Sequence, residues 1–216
     1  MGWQEYLFFT FPSILVILNP LGAAVTFASL TAGRSEKQRF TLARRACTFS
    51  FGVLILFALL GHIIFKMFGI TLGAFRIAGG FLLFSVAWQM LHANPVRSRV
   101  TDEEFDEGLL REDVAIVPVA IPLLSGPGAI TTVLVLSGGT SNLFQTVAVI
   151  GCAGVALFIC YLVLSRATRL VLLLQVSGTR VVTRIMGLIL SVVAVQFVIE
   201  GIKNVLPGLA KILKSA

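Results

Sequence analysis

Two short stretches combine residues that start helices with residues that can bind a ligand: Asn19-Pro20-Leu21-Gly22 and Ser125-Gly126-Pro127-Gly128. Each interrupts a long apolar run. Asn is a favoured N-cap and Pro is well tolerated at the first helical position, so Asn19-Pro20 reads as the start of a new helix rather than a kink. Ser125 is the cap candidate for a second helix starting at Pro127, while Gly126 and Gly128 let the backbone approach a ligand. A helix start presents unpaired N–H groups and about half a unit of positive charge, which attract an anionic group such as a carboxylate. The residues that follow are small or hydroxylated: Gly22, Ala23, Ala24 and Thr26 after the first break, Gly128, Ala129, Thr131 and Thr132 after the second. They leave room for a small substrate and offer hydroxyls, although small residues equally suit close helix packing. Gln89 and Gln196 are amides inside apolar runs, and each needs a partner from substrate, a carbonyl at a break, or a neighbouring helix.

Other chemistries lack their residues. Catalytic triads and Gly-rich phosphate loops are missing from the sequence, so neither an enzyme nor an ATP-driven pump is expected. Cys47, Cys152 and Cys160 have no metal-ligand spacing and read as small core residues. His62 and His92 sit near span ends without a metal partner at helical spacing, so no metal and no cofactor is expected. Arg76 and Glu200 fall near the same face, where they can pair or each extend to the interface. Arg184 lies about 24 Å along the helix from Glu200, out of reach within one helix. No Asp or Glu falls near mid-membrane to relay protons. The coupling ion, Na⁺ or H⁺, stays open, with Na⁺ on carbonyls and hydroxyls as one route.

The elements that must position these residues are membrane spans. Of 216 residues 57% are hydrophobic and 12% charged, with a mean hydropathy of +0.97, which marks a polytopic, all-α membrane protein. Met1-Gly2-Trp3-Gln4-Glu5 lacks the positive region of a cleavable signal. Six segments meet the length of a span, near 6 to 31, 41 to 65, 72 to 92, 114 to 138, 145 to 166 and 181 to 203. The first divides at Asn19 and the fourth at Gly126. One transmembrane domain, 1 to 216, results, with an acidic cytoplasmic loop at 93 to 113. Twelve Lys and Arg fall on the side of that loop and five on the other, so both termini are expected outside. The net charge of +7 reports this orientation and not a nucleic-acid partner.

A shift of 107 positions lays Pro20 on Pro127 and residues 80–89 on residues 187–196, with five of those ten identical, Gln89 on Gln196 included. The halves, about 1 to 92 and 114 to 216, each hold three spans. An odd number sends the second half in from the opposite face, so the repeat is inverted, as in many secondary transporters.

Asn19-Pro20-Leu21-Gly22, Ala74-Phe75-Arg76-Ile77-Ala78-Gly79-Gly80 and the run from Ala120 to Thr132 resemble the signature stretches of the MarC family. Arg184-Ile185-Met186-Gly187 and the run from Val195 to Ile202 resemble its last span, and the likeness covers essentially the whole chain. The resemblance implies a six-span protein of the inner or plasma membrane. It also implies kinship with archaeal transporters of small neutral amino acids such as glycine and alanine. The expected partners are therefore a small-molecule substrate and the lipid bilayer. A passive channel, since facing Asn-Pro half-helices also build pores, or an exporter for another small polar metabolite is the alternative, and a homo-oligomer stays open.

Overall fold

The computed structural model describes residues 3–92, 115–137 and 143–215, so the acidic stretch 93 to 113 lies outside the described residues, as does the side chain of His62. Every regular element among them is helical: α1 (Trp3–Leu18), α2 (Pro20–Leu30), α3 (Glu36–Phe68), α4 (Leu72–Leu91), α5 (Ala115–Leu124), α6 (Pro127–Leu136), α7 (Leu143–Ser165) and α8 (Ala167–Ser215). Local chemistry accounts for several ends. Ser35 and Gln38 form a reciprocal capping box at the start of α3, and Gly69, at φ 63°, closes it. The Thr71 hydroxyl caps α4 by accepting the Ala74 N–H at 3.2 Å.

Among the described residues five stretches are long and apolar enough to cross a membrane: Trp3–Leu30, which takes α1 and α2 together, Glu36–Gly61, Leu72–Leu91, Leu143–Ser165 and Arg180–Leu206. Pro127–Leu136 is apolar but short. The stretch expected as a fourth span is thus two short pieces, of which α5 is π-helical. Pro118 and Pro122 withhold their N–H groups, so α5 cannot keep an unbroken α ladder. At its end the Ser125 N–H reaches five residues back, to the Ala120 carbonyl, at 2.9 Å.

The expected loop between the last two spans is corrected. Only Arg166 separates α7 from α8, which runs 49 residues without interruption. At 1.5 Å per residue it is about 74 Å long, more than twice the hydrocarbon thickness of about 30 Å. Arg169, Arg180 and Arg184 therefore ride on a helix that continues beyond the apolar span. No proline interrupts it before Pro207, so nothing in the backbone forces a turn there.

The α1–α2 pair forms the centre of the bundle: 67% of its apolar window is buried, against 28 to 39% in the other four. Around it α1 packs on α7, α2 on α8 and α7, α5 on α3, and α6 on α4, α1 and α3. Large apolar side chains such as Phe8, Phe81, Phe158 and Leu173 are exposed at the periphery, a surface suited to lipid. Cys47, Cys152 and Cys160 are buried, and none forms a disulfide among the described residues, as core residues would be.

The most extensive contact joins α4 to α8. Gly73 meets Gly201, Gly80 meets Ala194, and Ala87 meets Gly187. As α4 advances by seven residues α8 retreats by seven, so the helices run antiparallel with small residues facing every second turn. A methyl built at Gly80 would lie 2.8 Å from the Ala194 carbonyl oxygen, and one at Gly201 2.8 Å from that of Gly73. Backbone cannot yield as a side chain can, so the glycines set the distance between the helices. Gly80→Ala or Gly201→Ala should cost roughly 1–3 kcal/mol, read as a lowered midpoint in thermal unfolding of the detergent-solubilised protein. Gly151→Ala, where nothing lies within 4 Å of the added methyl, should be neutral or slightly stabilising.

Candidate functional site

The first interruption is one residue wide. Asn19 adopts a left-handed conformation, φ 46° and ψ 68°, which Asn tolerates better than most residues. Its N–H still donates to the Leu15 carbonyl at 3.1 Å, and its carbonyl accepts the Ala23 N–H at 2.9 Å. Its side-chain Oδ1 accepts the Gly22 N–H at 3.2 Å, so Asn19 caps α2 as its residue type leads one to expect. A methyl at Gly22 would lie 2.2 Å from Asn19 Nδ2. The space above Gly22 is thus filled by the capping amide and is not open to a substrate.

The second interruption is built differently. The Ser125 hydroxyl turns back and donates to the Ala120 carbonyl at 2.8 Å, and the Ser50 hydroxyl approaches the same oxygen at 3.4 Å. The expected cap by Ser125 is corrected: the cap position falls on Gly126, which has no side chain to offer. The start of α6 therefore has no side-chain cap for its first-turn amides, near Gly128 and Ala129, among the described residues.

The end of α1, just before the first break, meets the start of α6. A methyl at Gly128 would lie 3.0 Å from Ile17 Cδ1 and 3.4 Å from Leu83 Cδ2, which brings the end of α1 against the beginning of α6. Asn19, Gly22, Ala23, Ser125, Gly126, Gly128 and Ala129 are buried, while Pro20 and Leu21 are partly so and Pro127 is exposed. Thr132 spends its hydroxyl on the Gly128 carbonyl at 2.8 Å, and Thr131 lies with its methyl against Gly79. Thr26, 1% exposed, has a buried hydroxyl with no partner among the described residues, and so does Thr10. A hydroxyl of this kind normally finds one. Ile17, Leu18 and Leu123, just before the breaks, are themselves engaged in polar interactions, which their backbones alone can make.

The glutamines are not brought to the breaks in the same way. Gln196 Nε2 donates to Glu200 Oε1 at 3.2 Å, and Arg76 Nη1 lies 3.8 Å from Glu200 Oε2. The ion pair between these spans forms as one of the two readings of the sequence had it. Gln89 is half-buried on α4. The far ends of both half-helices are tied down. Arg39 Nε donates to the Thr31 carbonyl at 3.3 Å while its Nη1 reaches the Thr168 hydroxyl, placing a cation at the C-terminus of α2. The Tyr6 hydroxyl donates to the Leu136 carbonyl at the end of α6, at 2.5 Å.

Residues 4–206 match the family described as "MarC family integral membrane protein". The chain belongs to the MarC family. A "UPF0056 membrane protein" of Aquifex aeolicus is 36% identical over 91% of this chain and 92% of its own length. "UPF0056 membrane protein YvbG" of Bacillus subtilis is 35% identical over 95% and 98%, and "UPF0056 membrane protein YhcE" of Escherichia coli is 30% identical over 94% and 97%. No solved structure matches. With its apolar helices, this kinship makes the chain an integral membrane protein.

Sequence reasoning missed Tyr6 and Thr10 among the polar residues around α1. Their signal was present, because Tyr6, Thr10 and Ser13 recur at intervals of four and three along one face of an apolar helix. Asn19→Ala should cost about 1 kcal/mol of stability through the lost cap. Gly22→Ala should cost a similar amount by displacing the same amide. The double variant should fall well short of the sum, because both changes remove one interaction; a double-mutant cycle of unfolding midpoints checks this.

Proposed function

We propose that this MarC protein is a secondary transporter of small neutral amino acids, such as glycine and alanine, which alternates access around the paired helix starts at Pro20 and Pro127. The observation that carries the reading is the buried contact of Ile17, just before the first start, with Gly128 at the second, and the Thr26 hydroxyl, without a partner among the described residues, nearly two turns beyond the first start. Irregular backbone at membrane depth is tolerated only inside protein or along a polar cavity.

The reading includes six spans in two inverted halves, with α5 and α6 together as the fourth span. In support, the contacts exchange under the shift of 107 positions. The pairing of α4 with α6 answers that of α8 with α2, α1 with α7 answers α5 with α3, and α3 with α6 answers α7 with α2. Gly80 sits on the Ala194 carbonyl as Gly187 sits on that of Ala87. An internal two-fold axis generates such self-complementary contacts.

The uncapped amides near Gly128 and Ala129 would take the substrate carboxylate, in preference to Gly22, whose N–H is already satisfied by Asn19. The hydroxyls of Thr26 and Thr131 would face the ammonium. The substrate class draws on kinship with amino acid carriers and on a site walled by Gly, Ala and Thr. Location in the cell membrane follows the family kinship, and the placing of both termini outside follows the Lys and Arg asymmetry. The driving ion is Na⁺ or H⁺.

Proteoliposomes containing the protein should take up labelled glycine and alanine with saturation and trans-stimulation, tested with and without a Na⁺ or proton gradient. Absence of saturable flux rejects the substrate class, and linear flux that follows the gradient indicates a passive channel instead. Asn19→Ala and Pro20→Ala should lower flux roughly tenfold or more, beyond the effect of about 1 kcal/mol on stability. Parallel losses of both would return the break to a structural role.

A further inference from the structure

A cavity of about 380 Å³ opens at the end of the bundle where α1 begins, with Trp3, Tyr6, Phe9, Arg76, Phe197 and Glu200 among its walls. No residue of either break lines it. Its charged groups of opposite sign are unsaturated. Arg76 Nη1 and Glu200 Oε2 stand 3.8 Å apart, well beyond the roughly 2.7–2.9 Å of a closed, charge-assisted hydrogen bond. Arg76 Nε is buried without a partner among the described residues. Glu200 is steadied from the other side by Gln196, whose amide donates to Oε1. The Tyr6 hydroxyl is already committed to the Leu136 carbonyl, so Tyr6 contributes a wall rather than a donor. The remaining wall is largely aromatic, and ring faces attract cations.

A carboxylate entering alone would be drawn to Arg76 but repelled by Glu200. An ammonium alone would meet the converse. A ligand that carries both charges on neighbouring atoms converts one open ion pair into two closed ones. We propose that this cavity is a second binding site, for the zwitterion of a small amino acid, with the carboxylate on Arg76, the ammonium on Glu200, and Gln196 as the positioning residue for Glu200. The inference deepens the transport reading and rests on it for the identity of the ligand. On that reading the cavity lies at the outer mouth and loads the site between the breaks.

The chain has two tryptophans, and Trp88, which does not line the cavity, is on α4 about 18 Å along the helix from Arg76. In a Trp88→Phe background, emission from Trp3 reports on the cavity. Glycine should change it saturably in the full-length protein in nanodiscs, while acetate and methylammonium at equal concentration should not. Arg76→Gln and Glu200→Gln should each weaken the glycine response about tenfold or more. If either fails to fold, Gln196→Ala keeps both charges and should still weaken it several-fold. The site is refuted if no saturable response occurs, if acetate matches glycine, or if all folded variants respond like the parent. Glycine flux without a Trp3 response removes this site and leaves the transport reading standing; a Trp3 response without flux does the reverse.

Discussion

Backbone amides and carbonyls that leave a helix inside a membrane have no water to turn to, and the centre of this protein is organised by that constraint. Its two interruptions satisfy it by different means. At Asn19 a single left-handed residue keeps a backbone bond on each side and adds a side-chain cap. At Ser125 the chain approaches through a π-helical segment, and the hydroxyl and amide of one residue converge on the Ala120 carbonyl. The first solution caps the early amides of its helix with a side chain, whereas the second has no side-chain cap among the described residues. Although the two breaks align in sequence, their local chemistry is unequal.

That unequal pair is held inside a more regular frame. The glycine and alanine seam between α4 and α8 brings the helices to backbone distance, where van der Waals contact replaces the hydrophobic effect that lipid does not supply. Because the facing residues recur every seven positions on both helices, the seam is uniform along its length. The α1–α2 pair, the most buried of the candidate spans, lies against α7 and α8. Tyr6 and Arg39 hydrogen-bond to carbonyls at the ends of α6 and α2.

Much of this was readable in the residues. Asn before Pro inside an apolar run has one favoured meaning, a capped helix start, and the bond from Gly22 to Asn19 bears it out. The run from Leu72 to Leu91 is delimited by its Thr71 cap and by the end of its apolar pattern. The Ser125 cap was not readable correctly, because a serine can bond forward to a helix start or back to a preceding carbonyl. Proline spacing at 118 and 122, which disfavours an α ladder, tipped it backward. The continuous α8 was missed because charged residues end an apolar span without ending a helix.

The sequence by itself determined the solvent, the helical class and the places where helices restart, because these follow from hydropathy, length and local capping, which act within a few residues. Tertiary structure alone decided what fills the space at those places. Gly22 reads as open in sequence but is covered by the Asn19 amide, and Gly128 is covered by Ile17 and Leu83. Gln196 turns to Glu200 rather than to a break, and Arg76 meets Glu200 across 124 positions of chain. Such outcomes depend on which helices pack side by side and at what distance, and no local rule of residue type contains that information.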